Sequence, residues 1–303
     1  MKNLVKRSHE ATSGWQRKVI LIASIFCSVG VFAQDYVYRT FNDSRVINCH
    51  SVETLEGGAM DIRISHRFGD MGGDNGGIKT LYGLDNVADV RIAVEYGISN
   101  NLSIGFGRSK GAGPYRQLLD GYLKYKVLSQ KTDGSMPFTL TLLGTGTCDT
   151  QTASTDLSSP TSFRQTAHRM AYSAMAILGR KFSEKFSMQL MPAYVHRNFV
   201  AYDDENGLIS VGAATRLKLS KMIGIIAEYH YIMPYNRTTS FGQYFNPMGL
   251  GLEFDTGGHV FQLNFTNSAG LGETQFLPHT SSDIMEGQFR MGFTISRVFK
   301  LKR

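Results

Sequence analysis

Several things are scarce in this chain, and each scarcity closes a class. Cysteine is nearly absent, three in 303 residues, which excludes a small disulfide scaffold. Charged residues make up 19%, below the usual quarter, and with 11% aromatic residues this excludes a disordered chain. A surplus of one sign is missing too. The formal +7 is concentrated in residues 1–33, where Lys2, Lys6, Arg7, Arg17 and Lys18 face Glu10 alone; the rest holds 27 basic and 24 acidic residues. No basic patch therefore points to nucleic acid as a partner. Beyond Ala33 no uncharged apolar run reaches 18 residues, so a spanning helix is excluded there. What the chain does hold is glycine, 32 against 7 prolines, beside its aromatics. That profile suits β-structure.

The amino terminus has a separate logic. A basic stretch ending in Arg17 and Lys18 runs into an uncharged apolar segment, residues 19–32, followed by Ala33, Gln34 and Asp35. The run is short for a membrane span and ends on a small residue before a polar one, which predicts a secretory signal peptide over residues 1–33, cleaved after Ala33. The bulky Phe26 before Cys27 fits lipoprotein processing poorly.

The mature sequence alternates at period 2, the mark of strands with two different faces. Met60, Ile62 and Ile64 alternate with Asp61, Arg63, Ser65 and Arg67; Val90, Ile92, Val94 and Tyr96 with Asp89, Arg91, Ala93 and Glu95. Leu123 and Tyr125 oppose Asp120, Lys124 and Lys126; Leu217 opposes Arg216 and Lys218; Tyr229 opposes Glu228 and His230. Further on, Leu252 and Phe254 oppose Glu253 and Asp255, and Met291 and Phe293 oppose Arg290. Residues 167–180 form one more strand whose parity stays open. About twelve strands result, joined alternately by short and long connections, and this rhythm predicts an all-β, antiparallel transmembrane β-barrel over residues 58–303. Its apolar face meets outer-membrane lipid. Both mature termini and the short turns are expected in the periplasm, and the long connections, 145–166 and 267–286 among them, outside. Residues 34–57 are rich in aromatic and β-branched residues and predict a periplasmic or lumen-occupying segment rather than a linker.

The segments RVINCHSVETL (45–55), DIRISHRFGD (61–70), LDNVADVRIAVEYGISNNLSIGFGR (84–108), DGYLKYKV (120–127) and MPAYVHRNF (191–199) resemble a domain-of-unknown-function family of Bacteroidetes-type β-barrel proteins. The resemblance implies an outer-membrane barrel in a Gram-negative bacterium and supplies no catalytic or ligand residues.

Chemistry-bearing motifs are few. Eight histidines are scattered with no His–His pair at strand or helix spacing, so a metal site is not expected from them, and no cofactor motif is present. A lipase-like enzyme would need a serine beside a lipid-facing histidine; His196 has the outward parity and no serine beside it. The glycine-rich segments 69–77 and 105–113 match neither a calcium loop nor a phosphate loop. Cys49 and Cys148 are expected at opposite ends of the barrel, too far apart to pair. The lumen-lining candidates are Asp61, Arg63, Arg67, Arg91, Glu95, Asp120, Lys124, Lys126, Arg216, Lys218, Glu228, His230, Glu253, Asp255 and Arg290, nearly balanced in sign. That balance favours ion pairs over a selective ring. The leading expectation is a non-enzymatic small-solute channel or structural component. An outer-membrane enzyme and a soluble secreted β protein are the alternatives.

Overall fold

A computed structural model describes residues 36–111, 113–235 and 237–301; the expected signal peptide, with Cys27, lies outside the described residues. The strands are β1 (Ala59–Asp70), β2 (Val87–Ser99), β3 (Leu102–Lys110), β4 (Gln117–Leu128), β5 (Thr139–Asp149), β6 (Met170–Lys181), β7 (Phe186–Arg197), β8 (Gly207–Lys218), β9 (Ile223–Met233), a small hairpin β10 (Thr238–Thr239) and β11 (Gly242–Gln243), β12 (Met248–Asp255), β13 (His259–Thr266) and β14 (Arg290–Lys300). All but the small hairpin join one closed antiparallel barrel of twelve strands, sealed where β1 pairs with β14, Ile64 opposite Ile295. Closure leaves no unpaired edge, the condition for a sheet in lipid.

The barrel is apolar outside and polar inside. On β2, for example, Ile92, Val94 and Tyr96 are exposed while Asp89, Arg91, Ala93 and Glu95 are buried. Tyr96, Tyr125, Phe186 and Phe254 sit outward near the short turns, and Tyr172, Tyr194, Tyr229 and Tyr231 outward near the long connections. Two aromatic girdles at the two ends of an apolar band are the architecture of a barrel of the outer-membrane type.

Two elements depart from the alternation. The parity of β6 is open in sequence because both its faces are apolar: Tyr172 and Leu178 point out, while Met175 and Ile177 point in, 3% and 0% exposed. The inward pair packs in a buried cluster that includes Phe41, Val46, Ile47 and Val52 from the segment before β1. The second departure is the connection 267–289. It carries a short helix, α1 (Glu273–His279), whose residues Glu273 to Pro278 are buried and which packs against β6, β7 and β9. The expectation that all of 267–286 lies outside is narrowed accordingly: residues 273–278 are buried, whereas Ser281, Met285 and Glu286 are exposed. Seven residues with a proline among them give no helical period to read, and Phe276 and Leu277 join the same buried apolar cluster as Met175 and Ile177.

Candidate functional site inside the barrel wall

Residues 45–50 form a tight hairpin: Arg45 bridges His50, and the Val46 amide donates to the Cys49 carbonyl at 2.9 Å. The turn points the amides of Ile47, Asn48 and Cys49 the same way, and all three donate to the Glu228 carboxylate of β9 at 3.0–3.2 Å. A carboxylate gripped by consecutive backbone amides is a strong, charge-assisted arrangement. Here it fastens the hairpin tip to the wall.

The flanks of the hairpin are held by other inward side chains. Arg63 of β1 makes a bidentate pair with Asp43 at 2.5 and 2.8 Å and also meets Asp61 at 2.9 Å. Arg67 bridges Asn48, at 2.6 Å, to Asn264, at 2.7 Å. Glu95 accepts from Ser44 and Tyr122, and Lys124, fully buried, donates to the Ser44 carbonyl at 3.1 Å. Lys126 pairs with Glu53 at 3.4 Å. Gln189 acts as a surrogate strand, giving its amide to the His50 carbonyl and accepting from the Val52 amide, while Thr141 donates to the Val52 carbonyl. From the other end α1 reaches the same hairpin, where Glu273 lies 3.7 Å from both Arg45 and His50.

The remaining candidates stay with the wall. Arg91 and Asp120 form a bidentate pair at 2.5 and 3.0 Å, and Arg216 pairs with Glu253 at 2.8 Å. Lys218 and Asp255 are partly exposed near the short turns. Arg290 is near the opposite mouth, 3.3 Å from Ser282, beside a cleft of about 340 Å³ that Asp70 also lines. His230 is fully buried, edge-on to Phe276 of α1 at 5.2 Å between ring centres.

Cys49 and Cys148 are both free, and Cys49 lies against β9 instead of at the strand ends where the sequence reading put it. The sequence reading also missed the convergence of donors there. The thiol of Cys49, a carboxylate oxygen of Glu228 and a ring nitrogen of His230 lie within 4.8 Å of one another. One signal for it stands in the sequence: Glu228 and His230 are two apart on a strand and so share its inner face, a spacing that a His–His pattern does not contain.

Residues 41–299 match a family described as a membrane-bound β-barrel domain, DUF5777. Among solved structures, the NanC porin is 7% identical over 78% of this chain and 98% of its own, with a TM-score of 0.48. The KdgM porin is 9% identical over 80% and 99%, TM-score 0.47. The outer membrane protein Omp33 of Acinetobacter baumannii is 9% identical over 80% and 100%, TM-score 0.42. None of these transfers a ligand or a residue role. Among curated proteins none matches the sequence.

Proposed function

Since the chain belongs to the DUF5777 family of membrane-bound β-barrel domains, we propose that it is a non-enzymatic outer-membrane barrel of a Gram-negative, Bacteroidetes-type bacterium, closed at rest by its own amino-terminal segment. Export is by the signal peptide 1–33, the mature termini are periplasmic, and small solutes pass only where the segment is displaced. One observation carries this reading: the tip amides of residues 47–49 all bind Glu228, an inward residue of the wall. The mixed-sign charges on the inner face support it, since pairing to the segment satisfies them without leaving a ring of one sign. The lipase-like alternative has no support in the surroundings of His196, whose side chain contacts Tyr194 on the outward face.

The test is planar-bilayer conductance of the intact protein and of a deletion of residues 36–55, with heat-modifiable migration in detergent gels as the control for assembly. The intact barrel is expected to be silent or rarely open and the deletion to conduct. An assembled deletion protein with unchanged conductance refutes the closing role.

A further inference from the structure

Three donor types meet where the hairpin tip touches β9: sulfur from Cys49, oxygen from Glu228 and nitrogen from His230, all buried and mutually within 4.8 Å. They come from two elements far apart in sequence. His230 carries the stronger signal. It is 0% exposed, and neither ring nitrogen has a hydrogen-bond partner among the described residues. A buried imidazole used only as filler costs the desolvation of both nitrogens. A metal ion accepts one of them and removes much of that cost.

The neighbours are arranged to suit. Glu228 takes the three tip amides chiefly through Oε2, whereas Oε1 accepts only from Asn48, which leaves lone-pair capacity for a ligand bond. The amides also fix the carboxylate's orientation, the usual task of groups around a metal ligand. Gln189 and Met191 of β7 face the same spot: the Gln189 amide nitrogen is 3.9 Å from the Cys49 sulfur and 3.0 Å from the Met191 sulfur. Gly212 of β8 makes room for the His230 ring itself, because a Cβ there would lie 3.0 Å from the Met191 methyl and still closer to that ring.

We propose that Cys49, Glu228 and His230 form a binding site for a thiophilic divalent cation of the Zn²⁺ class, pinning the hairpin tip to the barrel wall. Donor atoms around tetrahedral zinc are roughly 3.5 Å apart, so side-chain rotations that close the cluster by about an ångström complete the site. Binding forms zinc–sulfur, zinc–nitrogen and zinc–oxygen bonds and releases the thiol proton to solvent. The bound ion then sits with one thiolate and one carboxylate, and its double charge is neutralised inside the wall. The site does not depend on whether solutes pass the barrel.

The test takes the full chain, extracted in mild detergent from cells grown with added zinc, and measures metal by mass spectrometry. About one zinc per chain is expected. Protein stripped of metal in denaturant and refolded in detergent with Co²⁺ should show a thiolate-to-cobalt charge-transfer band in the near ultraviolet. Cys49→Ser should lose the band and bind zinc at least tenfold more weakly, as should His230→Gln for zinc, while Cys148→Ser keeps both. Heat-modifiable migration identifies variants that assembled. Should Cys49→Ser fail to assemble, the wild-type spectrum decides alone: no thiolate band and no zinc in the refolded wild-type protein overturn the proposal, as does a band that survives Cys49→Ser. Failure of the conductance test leaves these outcomes unaffected.

Discussion

Gly179→Ala should loosen the amino-terminal segment, and the size of the effect follows from one contact. A Cβ on Gly179 would stand 2.6 Å from Cγ1 and 3.0 Å from Cγ2 of Val52, inside van der Waals distance of a side chain that is 0% exposed. Val52 has little room to retreat. Its amide is held by Gln189 at 3.2 Å and its carbonyl by Thr141 at 2.7 Å, and a β-branched side chain has few χ1 alternatives. Overpacking of this kind costs about 1–3 kcal/mol, which changes the ratio of docked to released segment by about 5- to 150-fold. Val52→Ala removes both clashing methyls and by itself costs about 1–2 kcal/mol of apolar burial. In the Val52→Ala background the Gly179→Ala methyl fits the vacated space, so the second change should be neutral or stabilising there. The cycle therefore has a sign as well as a size. The assay is the frequency of conducting events in a bilayer, together with maleimide reactivity at the buried Cys49, read by mass on the peptide that carries it. A Gly179→Ala protein with unaltered Cys49 reactivity and silent bilayers, or an effect that Val52→Ala leaves in place, would refute the reasoning.

Three further outcomes are expected. Ile92→Arg puts a charge on the lipid face, where Ile92 is 57% exposed, and should cost about 2–4 kcal/mol in urea unfolding from lipid vesicles; an unchanged unfolding midpoint excludes lipid contact there. Tags placed within 152–159 should react with label on intact cells and tags at 220–222 should not, whereas a tag within α1 should impair assembly, because residues 273–278 are buried; label reaching the 220–222 turn in intact cells inverts the topology. The connection carrying α1 should loosen in acid. The ring nitrogens of His279 are buried without partners, and burial, with the Arg197 and Arg237 charges, holds its pKa well below the usual histidine value. The unfolded connection binds a proton near pH 6.5 that the folded one refuses, so its stability is full above that pH and falls as the pH drops towards the folded value. One proton sets the limit, and the slope is at most about 1.4 kcal/mol per pH unit. Hydrogen exchange over residues 273–283 at pH 7.5 and 5.5, with His279→Gln as the flat control, measures it.

The strands were legible because one face of each meets lipid and the other does not, so the alternation is written along almost every one of them. Where the inner face is also apolar the pattern fades. Met175 and Ile177 could not be oriented by sequence alone, since their reason for being apolar is Val52 and its neighbours, more than a hundred residues earlier. α1 was illegible for a related reason: of its buried residues 273–278 only Phe276, Leu277 and Pro278 are apolar, too few for a period, set in a stretch whose glycines and proline read as loop. The donor cluster was half legible. The spacing of Glu228 and His230 on one face stands in the sequence, but nothing local says that a turn at 46–49 delivers a cysteine to them.

Removing the segment should open the barrel instead of collapsing it, and the reason lies in how the charges are paired. Among the described residues, Asp61 with Arg63, Arg91 with Asp120, and Arg216 with Glu253 are ion pairs made within the wall alone. Arg63 is shared, giving Asp43 two of its contacts and Asp61 one, so loss of the segment still leaves it a partner. Glu228, Lys124 and Lys126 stand differently, because their side-chain hydrogen bonds and ion pairs among the described residues run to the segment. Uncovered, they face an aqueous bore and are hydrated, which avoids the large penalty of an unpaired buried charge. Ladder hydrogen bonds around the closed sheet are untouched. The apolar inner patch of Met175 and Ile177 loses its cover and meets water, so the deleted barrel should assemble with a lower unfolding midpoint in urea. A midpoint equal to that of the intact protein would mean that the buried cluster contributes nothing to stability, and with it the case for a firmly docked segment would fail.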